Sequence, residues 1–160
     1  MDASTNNEII PAASFKQIDI GFVTPAASIK RFVQCIWVID NPEGSATTLN
    51  EKFYPDAGSS LTFYLDQTNC EAQFFYHTQV CAMPWELACR QISVRFRPGA
   101  LKYLFGLTFD DSKNQQIDIA LAMVKQRDSY QRLQAYLIGK TISQQCLAIQ
   151  HWLIELAENT

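Results

Sequence analysis

The spacing of apolar positions changes near residue 98. Upstream, apolar and polar residues alternate with a period of two; downstream, they recur every three or four residues. Phe15-Lys16-Gln17-Ile18-Asp19-Ile20 alternates and predicts a first strand. Pro25 opens a helical turn carrying Ile29, Phe32 and Val33. Val33–Ile39, rich in β-branched and aromatic residues, predicts a second strand, and Asn41-Pro42-Glu43-Gly44-Ser45 ends it in a loop. Phe53–Tyr54 predicts a short strand before the turn Pro55-Asp56-Ala57-Gly58. Leu61, Phe63 and Leu65 then alternate with Thr62 and Tyr64. Glu71–Val80 is apolar on both faces at Phe74-Phe75-Tyr76, Pro84 interrupts, and Leu87–Arg97 predicts the last long strand. Five to seven strands therefore precede residue 98. Apolar residues on both faces are expected where a barrel or sandwich buries one face and helices cover part of the other.

After Pro98 the pattern is helical. Ala100, Leu101, Leu104 and Phe105 predict a short helix stopped by Gly106, Asp118–Val124 another turn, and Ser129–Ile138 a third helix with Tyr130, Leu133 and Leu137 on one stripe. Ile142, Cys146, Ile149, Leu153 and Leu156 form the most regular pattern, a narrow apolar seam along a final helix. Two readings stay open: the seam packs on its own domain, or it is a dimer interface shared with a second subunit. The organisation expected is a single α+β domain over 1–160, with a flexible leader at 1–14, a mainly β part at 15–97 and a mainly helical part at 98–158.

Charge narrows the functional classes. The net charge is −3 and the basic residues are scattered, so a DNA-gripping surface is not expected. No apolar run approaches a membrane span, and the first residues lack a basic segment followed by an apolar one, so a cytoplasmic protein without membrane contact is expected. The five cysteines, Cys35, Cys70, Cys81, Cys89 and Cys146, are odd in number and lack CxxC spacing, which suits reduced and mostly buried thiols.

Catalytic signals are sparse. There is no GxSxG, P-loop, GxGxxG or HExxH, and the two histidines, His77 and His151, make no metal-ligand cluster. No catalytic residue, metal or cofactor is expected. Arg95 and Arg97 alternate with core residues and share one strand face. That face is solvated, or lines the mouth of a barrel, where the arginines would meet an anion or a polar ligand, or pairs its arginines with an acidic residue of the helical part. The candidate ligand-binding set is Trp37, Phe63, Tyr64, Phe75, Arg95 and Arg97, against the alternative that the aromatics are simply core.

An ordered set of short motifs adds a further expectation. These are Ile36-Trp37, then Pro55-Asp56 before Leu61-Thr62-Phe63, then Val94-Arg95-Phe96-Arg97-Pro98-Gly99 with Leu104-Phe105-Gly106, and Asn114 before Ile117-Asp118-Ile119. In this order they resemble the N-terminal sensor domains of AraC-type bacterial transcription regulators over about residues 25–158. Ala57 stands where that turn usually has glycine, and Ser60 where an acidic residue is common. The resemblance implies a cupin-like β-barrel or sandwich followed by a C-terminal group of helices. It also implies effector sensing, dimerisation or both, with a small-molecule effector, a homodimeric state, and DNA reached only through a helix-turn-helix part that this chain does not contain. The alternatives are a stand-alone small-molecule-binding barrel and a metal-free cupin-like enzyme.

Overall fold

The computed structural model describes residues 19–40, 48–53, 58–122 and 126–160. The expected leader, the strand positions 15–18, the loop Asn41–Ser45 and the residues Tyr54–Ala57 lie outside the described residues. The strands are β1 (Ile20–Val23), β2 (Val33–Ile39), β3 (Thr48–Phe53), β4 (Ser59–Leu65), β5 (Cys70–Tyr76), β6 (Cys81–Glu86), β7 (Arg90–Phe96) and β8 (Gln115–Asp118). The helices are α1 (Ala100–Phe105), α2 (Phe109–Ser112), α3 (Ile119–Ala122), α4 (Arg127–Leu137) and α5 (Ile142–Glu158), and a 3-10 turn at Ala27–Ile29 precedes β2.

Six strands form one antiparallel sheet in the order β1-β2-β7-β4-β5-β8, and β3 pairs with β6 in a separate two-stranded sheet. The fold is α+β. Among the described strands the six-stranded sheet is open, with β1 and β8 at its edges. Period-two alternation gives it two different faces. Ile36, Val94 and Leu61 lie side by side on one face, followed by Val38, Ile92 and Phe63. This face is apolar and carries the helices. Phe63 meets Trp152 of α5 edge to face at 6.3 Å, while Phe105 of α1 contacts Phe74, Phe96 and Trp152. Burying each large side chain here contributes about 2 kcal/mol.

The seam of α5 belongs to this core. Cys146, Ile149, Leu153 and Leu156 are buried against the protein's own sheet and Ile142 is partly buried beside them. Those four residues are therefore covered within the chain and not available as a dimer interface, which corrects the second reading of the seam for all but Ile142. Trp152, off the seam, is buried as well and donates to Ser129 Oγ at 3.0 Å. A capping box starts α5: Gln144 N–H donates to Thr141 Oγ1, and Thr141 N–H donates to Gln144 Oε1. Arg90 ties the sheet to the helices, donating to Asp40, to the Lys140 carbonyl and to Gln145.

Several boundaries differ from the pattern reading. β7 starts at Arg90, so Leu87–Cys89 belong to the preceding turn, and β5 stops at Tyr76. β6 runs through Pro84, opposite Asn50. A two-stranded sheet gives each strand an open edge, where a residue without an N–H is tolerated. The helical part also contains β8, which was not expected. Its Gln-Gln-Ile-Asp sequence has one apolar residue and no strand signature. Asn114 sets it in place with a positive φ of 56°. Its N–H donates to the Tyr76 carbonyl, and its side chain exchanges two hydrogen bonds with Thr78.

Candidate functional site

The second face of the six-stranded sheet is the more polar one, interspersed with aromatic residues, and it is the floor of a cavity. Three rungs cross the sheet. The first holds Cys35, Arg95, Ser60, Phe75 and Gln116; the second Phe22, Trp37, Ser93, Thr62 and Gln73; the third Ile20, Ile39, Gln91, Tyr64 and Glu71. The cavity above them measures about 560 Å³, and Pro84, Trp85 and Glu86 of β6 line it together with Ala88 and Cys89 of the following turn. That is within the range of small-molecule sites.

The floor is preorganised. Thr62 and Ser93 share a hydrogen bond at 2.9 Å at its centre. Trp85 Nε1–H donates to Gln91 Oε1 at 2.8 Å, and Gln91 Nε2 donates to the Glu86 carbonyl at 2.7 Å, so Gln91 fixes β6 above the third rung. Trp37 and Trp85 meet edge to face at 5.7 Å. At the other end Arg95 Nη1 donates to Ser60 Oγ at 3.0 Å. Gly58 makes this geometry possible. A Cβ there would sit 2.7 Å from the Phe96 carbonyl oxygen and 3.1 Å from both Nε and Nη2 of Arg95.

Burial shapes the titration of the lining groups and of Cys35 beside Arg95. It pushes the Tyr64 phenol up to about 12, with the Cys89 sulfur adding to the shift. It raises the Cys35 thiol, against the opposing pull of Arg95, and it raises the Cys89 thiol. It lowers His77 and Arg95. Near neutral pH both thiols are protonated, hence weak nucleophiles, and the imidazole is neutral. What the cavity offers chemically is shape, aromatic surface and hydrogen-bonding groups.

Of the six candidate residues, Trp37, Tyr64, Phe75 and Arg95 line the cavity. Phe63 does not. It is fully buried on the opposite face against Trp152, because neighbours in a strand point to opposite sides. Arg97 lies past the end of β7, exposed, with Nε donating to the Lys30 carbonyl at 2.9 Å. Pattern reading missed Ser60, Thr62, Gln73, Gln91 and Trp85. Their signal was the alternation of Ser60, Thr62 and Tyr64 with Leu61, Phe63 and Leu65, and of Gln91, Ser93 and Arg95 with Ile92, Val94 and Phe96. Among the described residues no group of three or more His, Cys, Asp or Glu could hold a metal, and no helix is long and apolar enough to cross a membrane.

Residues 22–118 match the family described as a domain of unknown function, DUF6597. The match covers more than half of the chain, which belongs to that family. It contains every described cavity-lining residue except Ile20, and it ends before α4 and α5. No curated protein and no solved structure matches the chain.

Proposed function

We propose that this domain is a non-catalytic, cytoplasmic ligand sensor of an AraC-type transcription regulator, holding a small-molecule effector in the cavity between the polar sheet face and β6. The observation that carries the reading is the division of the sheet, a cavity lined by aromatic and hydrogen-bonding groups on one face and a helical core on the other. Each central strand serves both. Thr62 lines the cavity and the next residue, Phe63, packs on Trp152. Ser93 lies between Ile92 and Val94, which face the helices. A ligand that shifts β4 or β7 by a fraction of an ångström disturbs the seat of α5. It biases the helices only to the extent that it binds one arrangement better than the other. Homodimerisation, implied by the resemblance, would use surfaces other than the buried seam.

The test has two arms. In a thermal-shift screen of small metabolites, hits are expected to stabilise the parent and not a Gln73→Phe variant, whose ring fills the floor. Hits that stabilise both equally contradict the cavity reading. In the source gene, the frame beyond codon 160 is expected to encode two helix-turn-helix units; a frame without them removes the regulator reading and leaves a binding domain.

A further inference from the structure

We infer that the cavity selects an anionic small molecule with a flat aromatic or conjugated body, its negative head on Arg95 and Ser60 and its body between Trp37, Trp85 and Phe75. This rests on the reading of the cavity as a ligand site and names the ligand class. Three observations converge on it.

The first is charge placement. Arg95 is the one lining residue, among those described, that carries a fixed positive charge. It sits on the first rung. Glu86 is fixed beside the third rung, where its carbonyl accepts from Gln91. Two residue pairs along a strand separate these rungs, about 13 Å. The fixed cationic group of the described lining therefore lies at one end of the cavity, where an anionic head would meet it.

The second is the local construction. Ser60 accepts from the guanidinium and so keeps its own proton to donate to the same anion. The glycine at position 58 leaves the guanidinium in contact with backbone where any side chain would displace it. A half-buried arginine attracts an anion more strongly than an exposed one does, because less water screens the pair.

The third is the character of the remaining lining. Trp37, Trp85 and Phe75 supply flat apolar surface, while Thr62, Gln73 and Gln91 supply neutral hydrogen-bonding groups below it. Such surroundings suit a conjugated body with few polar substituents.

A matched pair of dyes tests the inference: 8-anilinonaphthalene-1-sulfonate and N-phenyl-1-naphthylamine, which share one skeleton and differ in the sulfonate. Binding is followed by dye fluorescence, with energy transfer from tryptophan reporting that the dye is bound within reach of the indoles. The sulfonate is expected to bind at least about tenfold more tightly, and Arg95→Gln to abolish that preference while leaving the neutral dye within about twofold. Near-UV circular dichroism verifies that the variant is folded. If it is not, Arg95→Lys carries the test, since it keeps the charge and is expected to keep a reduced preference for the sulfonate. Equal affinities in the parent, or a preference that survives Arg95→Gln, overturn the anionic ligand class and leave the cavity reading intact. Failure of both dyes to bind with energy transfer overturns both.

Discussion

Replacing Leu153 with alanine tests whether α5 is held by its own domain. Leu153 is 0% exposed and belongs to the core between α5 and the sheet. The substitution removes three carbons, worth about 2.4 kcal/mol in transfer free energy, and the cavity left beneath the helix raises the loss to about 3 kcal/mol. For a chain of this size that lowers the thermal midpoint by about 6–12 °C. The assay is urea unfolding of parent and variant, followed by circular dichroism, over a roughly hundredfold range of protein concentration. An intrachain contact gives a stability difference that does not depend on concentration. A contact shared between subunits gives one that does, because association contributes to stability by mass action. Leu147→Ala is the control on the same helix. Leu147 is 57% exposed, and its loss is expected to change stability by less than about 0.5 kcal/mol. A Leu153→Ala effect below about 1 kcal/mol, or a difference that grows with concentration, would refute the packing described for α5.

Three further outcomes are expected. Gly58→Ala forces its Cβ against the Phe96 carbonyl and the Arg95 guanidinium; it is expected to cost about 2 kcal/mol in urea unfolding and to weaken sulfonate-dye binding, and a variant unchanged in both contradicts the close approach. Thr62→Val leaves the buried Ser93 hydroxyl without the partner it has at 2.9 Å and is expected to cost about 1–2 kcal/mol, much of it recovered in the double variant with Ser93→Ala; strictly additive losses would show the pair to be uncoupled. Burial holds His77 below its ordinary 6.5, so the unfolded chain takes up this proton first as pH falls. The contribution of His77 to stability is therefore constant well above 6.5 and declines as pH drops through 6.5 toward the depressed value; His77→Gln is expected to flatten that part of the stability–pH curve, and an unchanged slope refutes the burial argument.

Legibility in the sequence followed the strength of each pattern. β2 coincides with the predicted Val33–Ile39; α5 lies where its apolar spacing puts it, because a long amphipathic segment carries redundant signals, and the short α1 was marked by Pro98-Gly99 before it and Gly106 after it. β8 carried almost none. It is held by pairing with β5 and by Asn114, and both are tertiary facts. β6 was obscured by Pro84, which a two-stranded sheet tolerates. The candidate site was legible in part for a different reason. Alternation identified two faces on β4 and β7, and the polar one was open to three readings, solvated, lining a mouth or paired with an acidic residue of the helical part. Here it is roofed by β6, so Thr62, Gln91 and Ser93 are buried polar residues. Choosing Phe63 beside Tyr64 broke the same alternation, since both cannot face one cavity. The motifs behind the AraC resemblance have visible structural duties where they are described. Gly99 caps α1 with a φ of 83°, Gly106 ends it with a φ of 68°, and Asn114 clamps β8 to the end of β5.

The central claim is that the space between the polar sheet face and β6 receives a small molecule. The most direct test labels the three tryptophans with 5-fluorotryptophan and follows their fluorine resonances while the naphthyl dye, as the sulfonate or the neutral amine, is titrated in. Trp37 and Trp85 line the cavity, and Trp152 is buried under the helices. The account predicts that the Trp37 and Trp85 signals shift together and saturate with one dye per chain. Resonances of both that stay fixed, whether or not Trp152 responds, would contradict it.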